Sequence, residues 1–216
     1  MDKSTVSKIK LGAILLMTIV PITLASFAFR AAMESGSLFG TANKGHLIMP
    51  PADVTDLDMR DEEGVLQFLS FEERLPELGA PGDYVPQPWL LVYATGRSCD
   101  SICMDRIFYL RQMHATFGRD TRRVRRYYLH SAYDPISEEI RDQFREEYPS
   151  MGLSFGDRER IERQMADSGV ELDLQNESYV FFVDPVGNVM MYYDSSHDIT
   201  DIKEDLERLL SQSSLG

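Results

Sequence analysis

Cysteine is scarce in this chain: its 216 residues hold two, Cys99 and Cys103. At most one internal disulfide can form, which excludes a small fold stapled by several bridges. Basic charge is also in short supply. Lys and Arg total 22 against 35 Asp and Glu, a net charge of −13. Residues 1–30 carry Lys3, Lys8, Lys10 and Arg30 against Asp2, a surplus of three, so the remainder carries −16. A domain that acidic is a poor general nucleic-acid binder. There are four histidines, and none between His130 and His197. No internal repeat and no low-complexity tract occurs.

What is present fits a globular chain, 43% hydrophobic and 26% charged. One ordinary domain can follow a membrane segment. Leu11–Phe29 is uncharged and mostly apolar, with Lys8 and Lys10 before it and Arg30 after it. Its 19 residues reach about 28 Å as a helix, roughly one bilayer core. The length favours an uncleaved anchor over a signal peptide, whose apolar stretch is shorter. Lysines ahead of the span place the N-terminus in the cytoplasm. The reading is residues 1–10 cytoplasmic, 11–29 a single transmembrane anchor, 30–58 a tether and entry segment, and 59–216 a domain outside the membrane. In a bacterium that means the inner membrane, with the domain in the periplasm.

The chain is organised around Trp89–Cys103. Trp89 to Ala94 is a short bulky run after prolines, the pattern of a buried strand. Thr95-Gly96 turns the chain, and Cys99 and Cys103 follow four residues apart. Helical periodicity continues to about Phe117. A helix N-terminus carries partial positive charge and unpaired N–H groups, which favour thiolate. Arg97 and Arg106 add to that, while Asp100 and Asp105 oppose it. Four residues is about one turn, so both sulfurs can share a face within disulfide range. Such a pair can cycle as dithiol and disulfide or chelate Cu(I). Cys103, Ile107, Leu110, His114 and Phe117 share the face expected to be buried. His114 lies about 16 Å along the helix from Cys103, too far to share an ion, and is expected as a packed, hydrogen-bonded histidine.

Around this unit, Leu47–Pro51 is expected as a short edge strand stopped by prolines, and Val65–Leu69 as a further strand. Pro81–Pro88 reads as a loop, Val124–His130 as a strand, Pro135–Tyr148 as a helix, and Gly152–Phe155 as a short strand. Arg158–Met165 is expected to be helical, Ser178–Tyr193 a hairpin, and Ile199–Ser211 an amphipathic closing helix. Arg119, Arg122, Arg123, Arg125 and Arg126 form a basic cluster, either a solvated edge or a docking patch for an acidic partner. The order β-α-β-α, hairpin, helix predicts an α/β thioredoxin-like fold, a mixed sheet flanked by helices.

The anchor, the C-x-x-x-C loop at Cys99/Cys103, Asp134-Pro135 and the Asp184-Pro185-Val186-Gly187 hairpin together resemble the Sco/SenC family over roughly Pro88–Leu210. That resemblance implies a membrane-tethered thioredoxin-fold factor for the copper site of cytochrome c oxidase. It would act as a thiol reductant or copper donor, with an oxidase subunit or another assembly factor as partner. Cys99 and Cys103 would then be the exchange pair, Cys99 attacking and Cys103 resolving, and also the copper ligands. The family's third ligand is a histidine before the hairpin strand. Here that position holds Asn176, and neither His130 nor His197 falls on it. Two thiolates without that nitrogen suit Cu(I) better than Cu(II). Two other readings stand beside this one. One is a thiol peroxidase with Cys99 as nucleophile, whose Thr-x-x-Cys spacing is not matched. The other is an interaction module with a fixed disulfide.

Overall fold

A computed structural model describes residues 3–34, 43–78 and 87–213. These form two compact units, divided at Ala42 and Asn43. The first contains one helix, α1 (Lys3–Glu34), of 32 residues. Its described apolar side chains, including Leu16, Met17, Ile22, Phe27 and Phe29, are exposed. Among the described residues no helix is long and apolar enough to cross a membrane. The expected span Leu11–Phe29 includes Leu11 and Ile14, whose side chains lie outside that description. Met1, Asp2, the tether glycines Gly36 and Gly40, and residues 81–86 of the expected loop are likewise outside it.

The second unit is a six-stranded mixed sheet with helices packed on it, in the thioredoxin-like manner. Its elements in chain order are β1 (His46–Asp53), α2 (Phe71–Leu78), β2 (Trp89–Thr95), α3 (Ser101–Ala115), β3 (Val124–His130), α4 (Glu138–Glu147), β4 (Met151–Phe155), α5 (Arg158–Asp167), β5 (Ser178–Val183), β6 (Asn188–Tyr193) and α6 (Ile199–Gln212). Across the sheet the order is β1-β6-β5-β2-β3-β4. β2, β3 and β4 run parallel, while β5, β6 and β1 alternate antiparallel.

β2 is buried along its whole length, as its unbroken apolar run predicts. Its alternate residues feed two cores. Trp89, Leu91 and Tyr93 pack with Ile107 and Leu110 of α3, Phe144 of α4, and Ile202 and Leu206 of α6. Leu90, Val92 and Ala94 face the other way, onto Ile161 and Met165 of α5 and Ile48 and Ala52 of β1. The central strand is thus clamped from both sides, and its C-terminal end is a fixed platform.

Several boundaries differ from those expected. The prolines do not stop β1: Pro50 and Pro51 lie inside it, after a cis Met49–Pro50 bond, where its pairing with β6 shifts register. An edge strand tolerates prolines because one side of its backbone has no ladder to maintain. Within the tether and entry segment, residues 46–57 enter the fold, with Ile48, Ala52, Val54 and Leu57 in the core. Val65–Leu69 is no strand. Val65 and Leu69 are exposed, and one bridge, Arg60 to Leu66, closes a turn through Gly64 at φ +83°. Phe71–Leu78 forms α2. α4 starts at Glu138, because the hydroxyl of Ser137 accepts the Ile140 N–H, three residues later than the expected Pro135. The hairpin and the closing helix form as expected.

Candidate functional site

At the C-terminal end of β2 the chain turns through Gly96. Its N–H donates to the Leu174 carbonyl at 2.9 Å. A Cβ there would lie 2.7 Å from that same oxygen, so the close approach requires glycine. Arg97 and Ser98 follow, both exposed, and then Cys99, half-buried. Asp100 is the N-cap of α3, its carboxylate accepting the Cys103 N–H at 3.0 Å. Cys103 occupies the first turn and is 5% exposed. Cys99 sits one residue ahead of the cap, so only the second sulfur belongs to the helix. The two are joined in a disulfide, with Cα atoms 5.2 Å apart.

This arrangement divides the pair by access. Cys99 is half-buried and Cys103 is buried, so Cys99 is the more accessible of the two residues. Two phenols, Tyr93 and Tyr128, share the core cluster of Cys103, with ring centroids 6.1 Å apart. Burial pushes both hydroxyls above their ordinary range. At Tyr93, Ser178, Arg106 and Arg97 pull the other way, while Asp100 adds to the rise. Burial pulls the Arg106 guanidinium downward, and its Nη2 donates to the His197 carbonyl at 3.1 Å. The site therefore has one anionic cap, Asp100, beside the cysteines, two arginines whose charge opposes it, and two buried phenols.

The other candidate residues are not gathered here. His114 lies in the last turn of α3, its Nε2 within 3.0 and 2.9 Å of the Thr121 and Val124 carbonyls. Burial lowers its pKa. It is the packed, hydrogen-bonded histidine that its spacing implies. His130 is buried, with Nδ1 on the Tyr128 hydroxyl and Nε2 on the Asp134 carbonyl, so both nitrogens are engaged. Asn176 is exposed, and its amide donates to the Asp173 carboxylate. His197 instead meets Asp194 and His46, a grouping the sequence reading missed because His46 was never singled out. The arginine cluster is not one face. Arg119, Arg122 and Arg125 are exposed, but Arg126 is buried against Ser150, and Arg123 bonds the Leu210 and Ser213 carbonyls. An open cleft of about 980 Å³ lies beyond β3 and β4, lined by Asp58, Arg60, His130, Tyr133 and Arg160 among others, with neither cysteine in its wall.

A family profile described as the transmembrane-like, thioredoxin-like C-terminal domain matches residues 89–213. Solved structures similar to the chain include Sco proteins. Copper-bound ScoI of Arabidopsis thaliana is 14% identical over 78% of this chain and 99% of that one, at a TM-score of 0.48. Yeast Sco1 is 14% identical over 82% and 100%, at 0.48. BsSco, described as a Sco-family cytochrome c oxidase assembly protein with a disulfide switch, is 15% identical over 79% and 97%, at 0.46. No curated protein matches.

Proposed function

We propose that this chain, which belongs to the transmembrane-like, thioredoxin-like C-terminal domain family, is a membrane-tethered thiol–disulfide exchange factor for the copper site of cytochrome c oxidase. The observation that carries the exchange reading is the Cys99–Cys103 disulfide at the start of α3, with Cys99 half-buried and Cys103 buried. In the reduced chain the Cys99 thiolate attacks a disulfide of the partner. One partner sulfur leaves as a thiolate, and a mixed disulfide forms. The Cys103 sulfur then attacks Cys99 Sγ, releases the partner's second thiolate, and leaves the bridge seen here. Two electrons pass to the partner.

The same two sulfurs fit Cu(I) as cargo when reduced. Soft thiolates suit that ion, whereas the Asn176 amide, tied to Asp173, is a poor third ligand. Those two cysteines would hold the ion, and Arg97 and Arg106 would balance part of their charge. The oxidase link rests on the sequence resemblance to Sco/SenC proteins. The anchor rests on the composition of Leu11–Phe29 within α1, which at 32 residues is about 48 Å long. With that anchor in a bacterial inner membrane, the domain faces the oxidising periplasm.

The test is complementation in the source organism. Deleting the chain is expected to lower cytochrome c oxidase activity. Wild type should restore it, and the Cys99→Ser/Cys103→Ser variant should not. Full rescue by the double variant would contradict the proposal.

A further inference from the structure

We infer that His46, Asp194 and His197 form a binding site for a divalent first-row metal ion of the Zn(II) class, separate from the cysteines. The inference does not depend on the exchange chemistry. The fold assembles the three residues from the start of one strand and the turn that follows its neighbour. His46 is the first residue of β1 and pairs with Tyr192 of β6. Asp194 directly follows β6, and His197 lies in the turn that leads to α6. The edge ladder thus sets one ligand across from the other two.

The donor atoms of all three lie within 4.8 Å of one another. His46 Nε2 is 3.4 Å from Asp194 Oδ2, and His197 Nδ1 is 2.9 Å from Asp194 Oδ1. Each carboxylate oxygen faces a different imidazole. Tetrahedral zinc with bonds of about 2.0–2.1 Å sets its ligand atoms roughly 3.3 Å apart. Small movements therefore suffice for three protein ligands, with a fourth position left to water. His46 is exposed, 51% at its side chain, so an ion reaches the site from solvent.

The surrounding hydrogen bonds are those a metal-binding histidine needs. A ligating ring is oriented by donating its other N–H to a carbonyl or carboxylate. The Nε2 of His197 is 3.0 Å from the Lys44 carbonyl. That peptide is itself fixed, because the Lys44 and Gly45 N–H groups donate to the buried Asp205 carboxylate at 2.7 and 3.0 Å. Asp194 accepts the Ser196 N–H and hydroxyl. The His46 ring packs on Tyr192 and edge-on to His197, each at 5.0 Å. Without an ion, both His197 nitrogens face acceptors, a carboxylate and a carbonyl. A metal at Nδ1 takes the place of one proton and leaves the Lys44 bond intact. Two imidazoles and one carboxylate suit Zn(II), whereas the thiol pair suits Cu(I). The net charge of −16 over residues 31–216 raises the cation concentration near the protein.

The full chain, kept oxidised so that both sulfurs stay in the disulfide, is titrated with Zn(II) against a chromophoric chelator. One ion per chain is expected, with a Kd below about 10 µM. His46→Gln changes an exposed side chain and should keep the fold, checked by far-UV circular dichroism, while weakening binding at least roughly tenfold. Cys99→Ser/Cys103→Ser should bind Zn(II) as the wild type does. Co(II) bound in place of Zn(II) should show visible bands of a tetrahedral site that His46→Gln diminishes. Absence of saturable binding would overturn the inference and leave the cluster an internal ion pair. So would binding that His46→Gln leaves unchanged, or binding lost with the cysteines.

Discussion

The carboxylate of Asp100 accepts the backbone N–H of Cys103 at 3.0 Å, so the cap that starts α3 also sets a negative charge between the two cysteines. Those roles can be separated. Asp100→Asn keeps a competent cap and removes the charge. In the reduced chain it should lower the Cys99 thiol pKa and speed its alkylation near neutral pH. Asp100→Ala should cost about 1 kcal/mol in urea unfolding. Identical alkylation profiles for wild type and Asp100→Asn would remove the charge from the account.

Asp205 is 1% exposed and accepts from the Tyr193 hydroxyl at 2.9 Å, besides the Lys44 and Gly45 N–H groups. Asp205→Ala leaves the Lys44 and Gly45 N–H groups without their acceptor, each worth about 1–3 kcal/mol, and also removes a partner of Arg208 and one of the two partners of the Tyr193 hydroxyl. A loss of at least about 3 kcal/mol is expected in chemical denaturation. Tyr193→Phe removes one donor and should cost only about 1 kcal/mol. Equal losses would show that the carboxylate does not organise this corner.

Gly96→Ala tests the close approach that holds the cysteine loop. The new Cβ would meet the Leu174 carbonyl oxygen at 2.7 Å, a backbone atom that cannot swing aside. Overpacking of this kind costs about 1–3 kcal/mol. The denaturation midpoint should fall, and the Cys99–Cys103 redox midpoint should move with it, since the loop's position changes. An unaltered midpoint in both would place slack where the structure shows contact.

The strand-loop-helix unit, the late hairpin and the closing helix were legible because each carries a short-range signal: the bulky run at Trp89–Ala94, Asp-Pro-x-Gly at Asp184–Gly187, and helical periodicity from Ile202 to Leu210. β1 was legible as an edge strand but not in its length, because Pro50 and Pro51 signal a stop that only β6, supplied from 140 residues later, overrides. Val65–Leu69 has strand composition but pairs, among the described residues, only through the single Arg60–Leu66 bridge, too little to make a strand. That Cys99 and Cys103 can be bridged was readable from their four-residue spacing. His46 was not, since its approach to Asp194 and His197 comes from strand pairing and leaves no local pattern.

Burial lowers the pKa of His114 from 6.5, with Arg126 adding to the effect and the Val124 and Thr121 carbonyls opposing it. The unfolded chain takes up the proton at higher pH than the folded one. Stability from the neutral ring is then complete above pH 6.5 and declines as pH falls through the folded value. Wild type should lose unfolding free energy over this window relative to His114→Gln. Parallel pH profiles for the two would contradict the assignment.

The exchange role of Cys99 and Cys103 is tested most directly by equilibrating the full chain in dithiol buffers of defined potential and trapping free thiols for mass analysis. The account predicts a reversible two-electron transition with a midpoint above about −300 mV. It also predicts that, treated with oxidised glutathione, Cys103→Ser accumulates a glutathione adduct on Cys99 with release of one glutathione thiolate, whereas Cys99→Ser leaves the buried Cys103 largely unmodified. A bridge that stays closed well below about −300 mV, the range of purely structural disulfides, or an adduct that forms equally on either sulfur, would contradict it.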